Sequence, residues 1–282
     1  MPDSEAPVFP PELERAIFEM AFDRSKPVSM PNRNLLLIAK RAYEWLRPLV
    51  YAVFNQCDRY GGASFPDFQR KRPYLTTPTI EDVGRFAKHL LFKNTLRFDS
   101  TEETIAFLRH CQNVESLAAW GDREDFKDLI PTLSNFKNLR FLSASLNDVP
   151  KDSLVQAPFC TTLTRLELVL PLPGFPFELL TSFPNLKQLS IFGGDITMRD
   201  DDTIKNILVL CPQLEVYGLT AIKKWTLSKN IYQWGSKEPR FVIFDGHMCG
   251  RESWLIGAHG GRNFWSMLED IVLARKRESR WF

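Results

Sequence analysis

The residues best equipped for chemistry sit together towards the C-terminal end: Asp245, His247, Cys249 and His259, beside Gly257, Gly260 and Gly261. A thiol among imidazoles could act as a nucleophile with its base, and the same side chains could hold a metal ion. Either chemistry needs three or four converging ligands, or a base within hydrogen-bond reach of the thiol. His247-x-Cys249 followed by His259 matches no ligand spacing that a metal site would impose. The segment Gly257-Ala258-His259-Gly260-Gly261 lacks the Gly-x-Gly-x-x-Gly spacing and the long strand–helix unit of a phosphate cradle, so its glycines read as turn residues. No Gly-x-Ser-x-Gly, Walker loop or His-Glu-x-x-His occurs. The expectation is a chain that is not an enzyme, with no catalytic, cofactor-binding or metal-binding residues and no cofactor.

Composition narrows the class further. The chain has 282 residues, 44% of them apolar, which is ordinary for a folded protein. Lys and Arg total 36 against 34 acidic residues, and a net charge of +2 makes no electrostatic case for nucleic acid or an anionic membrane. The start, Met1-Pro2-Asp3-Ser4-Glu5, has no basic and apolar leader pattern, and no apolar run is long enough to span a bilayer. We expect a cytoplasmic or nuclear chain whose partner is a protein.

The elements that would position a binding surface come from an internal repeat. Phe183-Pro184-Asn185-Leu186-Lys187-Gln188-Leu189-Ser190-Ile191-Phe192 carries Leu-x-x-Leu-x-Ile. Copies stand at Ala87-x-x-Leu90-x-Phe92, Val114-x-x-Leu117-x-Ala119, Leu139-x-x-Leu142-x-Ala144, Leu163-x-x-Leu166-x-Leu168 and Leu214-x-x-Tyr217-x-Leu219, with Phe241-x-x-Phe244 as a last strand. The steps between first positions run from 23 to 28 residues, inside the ~20–29 residue period of leucine-rich repeats. The fold class that follows is α/β: a leucine-rich-repeat solenoid of parallel strands with outer helices.

Helix signals punctuate the array. Thr79-x-x-Asp82 and Ser100-x-x-Glu103 read as helix starts, and Asn263 can cap a terminal helix with Phe264, Leu268 and Ile271 on its buried face. The segment from Trp225 to Gly235 shows no clear period and could close the array. Cys111, Cys160 and Cys211 stand three residues ahead of a first apolar position, where Phe136 and Phe183 stand in other copies. That interchange reads as buried packing by reduced thiols, and Cys57 and Cys249 offer no Cys-x-x-Cys pair.

In a Leu-x-x-Leu-x-Leu strand the intervening residues face the concave surface. Small residues there, such as Ala118, Ser143, Ser190 and Gly218, leave room for a partner to approach the sheet. Phe141, Arg165, Glu167, Lys187 and Gln188 are the candidate contacts, aromatic and Arg side chains being the usual anchors of interfaces.

Ahead of the repeats lie two helical patterns, at 9–22 with Leu13, Ile17, Met20 and Ala21 on one face, and at 32–47 with Leu35, Ile38, Ala42, Trp45 and Leu46. Pro48 should end or kink the second. Asn55 to Thr79, with Gly61-Gly62, three prolines and Arg70-Lys71-Arg72, reads as a connector whose charges are solvated.

Phe9-Pro10-Pro11-Glu12-Leu13, Ile17-Phe18, Leu36-Leu37-Ile38-Ala39-Lys40-Arg41 and the ending Tyr43-Glu44-Trp45-Leu46-Arg47-Pro48-Leu49 resemble the F-box-like segment of the large leucine-rich-repeat families of mushroom-forming fungi. Glu14 and Ala21 stand where that family usually has aliphatics. The resemblance covers about one sixth of the chain. It implies that Phe9, Pro10, Pro11, Leu13, Ile17, Leu35 and Ile38 dock on the Skp-type adaptor of a cullin ubiquitin ligase. It further implies that the chain is a monomer outside that complex, presenting an unknown protein substrate for ubiquitin transfer.

The resulting organisation is an F-box-like module over 1–54, a connector over 55–79, the repeat array over 80–245, and a C-terminal loop with a capping helix over 246–282. The first functional reading is the substrate-recognition subunit of an SCF-type ligase. The alternative is a leucine-rich-repeat interaction scaffold without a ubiquitin role, and the remote third is a small Cys/His enzyme or metal protein.

Overall fold

Eight short strands run parallel, and each pairs with the next in chain order, so the sheet is built by stacking one supersecondary unit after another. They belong to a computed structural model that describes residues 9–24, 30–56, 79–92, 101–120, 126–147, 149–172, 175–193, 201–221, 228–245 and 250–278. The strands are β1 (Val53–Gln56), β2 (His89–Phe92), β3 (Ser116–Ala119), β4 (Phe141–Ala144), β5 (Arg165–Val169), β6 (Gln188–Phe192), β7 (Val216–Ala221) and β8 (Phe241–Asp245). The register lines up Phe54, Leu90, Leu117, Leu142, Leu166, Leu189, Tyr217 and Phe241 in one row across the sheet. All eight are buried, and Ala87, Val114, Leu139, Leu163, Leu186 and Leu214 join them from just ahead of the strands. The architecture is α/β and has the layout of a solenoid-like repeat.

Between strands the chain returns along the buried side of the sheet. Residues Ile80–Phe86 (α4), Thr101–His110 (α5), Phe126–Leu133 (α6), Lys151–Val155 (α7), Asp201–Leu210 (α8) and Lys229–Gly235 (α9) are helical, with 3₁₀ turns at Pro158–Thr161 and Phe177–Ser182. The drift in repeat length has a geometric cause. A 3₁₀ helix rises about 2.0 Å per residue against about 1.5 Å for an α-helix, so the shortest repeats, into β5 and β6, span the same return with fewer residues. The longer repeats into β3 and β7 use full ten-residue helices.

The predicted starts hold where they can be followed: Thr79 accepts from the Asp82 N–H at 3.1 Å and Asn263 from the Ser266 N–H at 3.3 Å. Side chains just ahead of the first apolar position also tie each unit to the one before. Asn113 donates to the Arg85 carbonyl, Thr162 to Leu139 and Asn185 to Thr161.

Four expectations need correction. The sheet starts one strand earlier than the repeat pattern suggests, since β1 straddles the boundary assigned between the N-terminal module and the connector and pairs with β2. The last repeat is shifted in register. Phe241 occupies the row of Tyr217, not the position before the strand, and Phe244 lies on the opposite face. Strand side chains alternate with period two, so residues three apart within one strand cannot share a face. The segment from Trp225 to Gly235 does not close the array; within it α9 leads into β8, with the Trp234 ring 5.0 Å from Phe241, while Trp225 falls outside the described residues. Finally, the second N-terminal pattern is two helices, α2 (Met30–Ile38) and α3 (Lys40–Val50), divided at Ala39, whose backbone is extended. No proline or glycine announces that break.

The N-terminal helices form a small unit. Helix α1 (Pro11–Ala21) is joined to α2 by fully buried Asn32, which accepts from the Asp23 N–H at 3.0 Å and donates to its carbonyl at 2.8 Å. Glu14, placed where the resembling family has an aliphatic, accepts from Arg41 at 2.6 Å and so bridges α1 to α3. Arg47 then fastens α3 to α4 through Asp82 at 2.6 Å, its guanidinium also facing the Phe86 ring.

Residues Arg251–Ala258 (α10) and Phe264–Glu278 (α11) return over the sheet. Instead of only closing its end, they lie on the face opposite the repeat core. Phe264, Trp265, Leu268 and Val272 bury themselves against Val216, Val242 and Phe244, and Trp254 against Val53, Leu91 and Ala118. Among the described residues, no helix is long and apolar enough to cross a membrane.

Candidate functional site

The reactive stretch contributes little to a site. His247, Cys249 and the Asp245 side chain lie outside the described residues, as do Cys57 and Arg70-Lys71-Arg72. His259 follows α10, half buried, and burial lowers its pKa. Cys111, Cys160 and Cys211 are free and buried, in the positions that Phe136 and Phe183 fill elsewhere. Burial pushes the Cys160 thiol up to about 12 and the Cys211 thiol up to about 11, which leaves little thiolate at neutral pH. In the basic last turn of α11, Arg275 donates to the Phe241 carbonyl at 2.5 Å, tying the end of the helix to β8.

Two regions remain as candidate binding surfaces. The first is the outer side of the N-terminal helices. Phe9 is 51% exposed, Leu13 55%, Ile17 46% and Met20 79%, and Leu37 and Ile38 on α2 are 77% and 63% exposed. Pro10 and Pro11 are exposed as well. Helix α1 buries no residue fully; of its apolar side chains Phe18 packs inward, its ring 6.2 Å from that of Trp45. Of the seven residues predicted to meet an adaptor, six are exposed. Leu35 instead turns inward and packs against the core.

The second region is the sheet face opposite the core, expected to stand open to a substrate. The described chain covers much of it itself. Phe141 meets Trp265 edge to face, the ring centroids 5.8 Å apart. Arg165 donates to Glu269 of α11 at 3.2 Å, and Gln188 donates to the same carboxylate. Glu167 is buried and accepts a short hydrogen bond from Ser143, which in turn accepts from the Trp120 indole N–H at 2.7 Å. Only Lys187 stays well exposed, at the strand margin, paired with Glu215 at 2.9 Å.

The small residues explain why the face could be covered. A Cβ on Gly218 would come within 2.9 Å of Leu268 and Phe244. The approach that such residues permit is made by the chain's own C-terminal helix.

Burial also changes the electrostatics of this face. The Glu167 carboxyl is pushed up to about 7, burial outweighing the opposing hydrogen bond from Ser143. His89 is pushed down to about 4 by burial and is therefore neutral.

Between the helices and the sheet a cavity of about 310 Å³ remains. Its floor is one register row, His89, Ser116, Phe141 and Arg165, on four adjacent strands. Glu115, Arg140 and Thr164, each one residue earlier in the chain, form a second row, and Trp254, Gly257, Ala258, Asn263 and Trp265 close the other side.

Sequence reasoning missed Trp254, Trp265 and Glu269 as parts of this surface, and missed His89. A signal existed in α11, where Phe264, Trp265, Leu268 and Val272 form an apolar stripe too broad for a helix that touches one edge. Nothing in the sequence marks Glu269 as the partner of Arg165. No protein-family model matches the chain, and a search among curated proteins finds no match.

Proposed function

We propose that the chain is a non-enzymatic substrate receptor of an SCF-type ubiquitin ligase, with its N-terminal helices as the adaptor-binding module. One observation carries this reading: the stretch that resembles an F-box-like segment keeps Phe9, Leu13, Ile17 and Ile38 open to solvent on one small helical unit. An apolar patch of this kind on a lone chain marks a surface that a partner covers. The parallel sheet with its 23–28 residue repeat is the form a leucine-rich-repeat solenoid would take, and the C-terminal helices would be its terminal module. A protein substrate would be held where the C-terminal helices leave the sheet open, at the strand margin around Lys187. Such a receptor works by proximity, raising the effective concentration of its cargo near the transferase.

The test is co-purification of the full chain with a Skp-type adaptor, comparing wild type with Ile17→Asp. The expected result is capture by wild type and loss in the variant, with unchanged circular dichroism. Absence of capture by the wild type would reduce the reading to an interaction scaffold without a ubiquitin role. Equal capture by both forms would refute the assigned docking residues.

A further inference from the structure

The cavity between sheet and C-terminal helices has the composition of a ligand site. We propose that it binds a small monoanionic ligand with a flat apolar body, held between Phe141, Trp254 and Trp265 with its anionic group on Arg140. The inference stands apart from the adaptor reading, because it concerns the chain alone and the sheet face under the C-terminal helices, not the outer side of α1 and α2.

Charge pairing around the cavity sets the ligand's charge. Glu115 is matched by Lys88 at 3.0 Å, and Arg165 is matched by Glu269 at 3.2 Å. Arg140 lines the same cavity from an exposed position and has no carboxylate partner among the described residues. One guanidinium is left over, and Glu115 beside it disfavours a second negative charge on the ligand.

Trp254 and Trp265 both line the cavity, are 5% and 1% exposed, and have indole N–H groups with no acceptor. What the two tryptophans turn to the space is therefore ring surface and not these buried nitrogens. The His89 Nδ1 is likewise buried without a partner.

Shape supplies the apolar body. Phe141 stands edge to face with Trp265, and His89 with Trp254 at 6.5 Å and 80°, so flat ring surfaces border the space. Opposite the floor come Ala258, with its small side chain, and Gly257, against which Asn263 packs closely. At about 310 Å³ the space falls at the lower end of the ~300–1,000 Å³ typical of small-molecule clefts.

The experiment is isothermal titration calorimetry of the full chain with 2-naphthoate, 2-naphthamide and phenyl phosphate, on wild type and Arg140→Gln. Arg140 is exposed, so the substitution leaves the core intact, which thermal unfolding verifies. We expect 2-naphthoate to bind the wild type, and both the neutral amide and the Arg140→Gln variant to lose about tenfold in affinity, the scale of one charge-assisted contact. No binding of 2-naphthoate, equal binding of acid and amide, or equal binding by both proteins would overturn the proposal. Tighter binding of phenyl phosphate than of 2-naphthoate would overturn the assignment of a single charge.

Discussion

Leu13, Ile17 and Met20 on α1 form an apolar stripe in water, whereas Trp265, Leu268 and Val272 on α11 form a comparable stripe that is buried against the sheet. Both helices are amphipathic, so composition alone does not decide which is covered. The difference lies in what each helix faces. The sheet offers α11 a trough: Gly218 lets Leu268 down to the strand, Val216, Val242 and Phe244 supply apolar walls, and Arg165 and Gln188 meet Glu269. Helix α1 meets the rest of the fold mainly through Phe18 and through Glu14 with Arg41, and its remaining apolar residues find no counterpart within the described chain. A stripe matched within the chain is architecture, and an unmatched one is left to solvent.

That contrast can be broken most forcefully at Trp265. Replacing this almost fully buried ring with alanine should cost about 3–5 kcal/mol of stability, read from the urea midpoint. A loss no greater than that of a surface substitution would mean that the C-terminal helices are only loosely seated.

Glu167 tests the same covered face through pH. Its carboxyl titrates near 7 in the fold against 4.5 ordinarily, so below pH 4.5 both states hold the proton and no penalty arises. As pH rises from about 4.5 to 7 the unfolded chain ionises first, and stability falls by about 3 kcal/mol before levelling off. Glu167→Gln should abolish that fall. His89 works in the opposite sense: folded near 4 against 6.5 ordinarily, it destabilises the fold as pH drops through that window. Urea titrations of Glu167→Gln and of the double variant with His89→Gln, from pH 4 to 8, should therefore separate the two slopes. A Glu167→Gln profile identical to wild type would remove the buried-carboxylate account.

Gly218→Ala is expected to cost about 1–3 kcal/mol, the range for overpacking, and to speed proteolysis within residues 251–278. Unchanged proteolysis would show that Leu268 and Phe244 shift aside at no cost to docking. At the other end, Ile17→Asp should change stability by no more than about 0.5 kcal/mol, as exposed sites do. Unfolding of that variant would show α1 to be matched after all.

How much of this was legible in the sequence follows the same division. The row of Leu117, Leu142, Leu166 and Leu189 could be read directly, because its period is local and its residues are unmistakably apolar. Strand β1 was hidden because Tyr51-x-x-Phe54-x-Gln56 ends on a polar residue straight after a helix. The register of β8 was misread because Glu238, not an apolar residue, occupies the position before it, held by Arg240 at 2.9 Å. The exposed face of α1 was foreseen from a motif.

The occupant of the sheet's second face was not foreseen. Small and polar residues in a strand show that something can approach, and identifying it requires pairing Arg165 with a carboxylate 104 residues away.

That separation bears on how the protein is made. A chain of stacked repeats can take shape unit by unit as it leaves the ribosome, but Val216, Val242 and Phe244 stay bare until residues 251–278 have followed. The growing chain therefore passes through an interval in which this apolar strip is uncovered, and α11 ends it. Chains truncated after residue 250 should bind a hydrophobic dye that full-length chains do not; equal dye binding would show that the strip is shielded in another way.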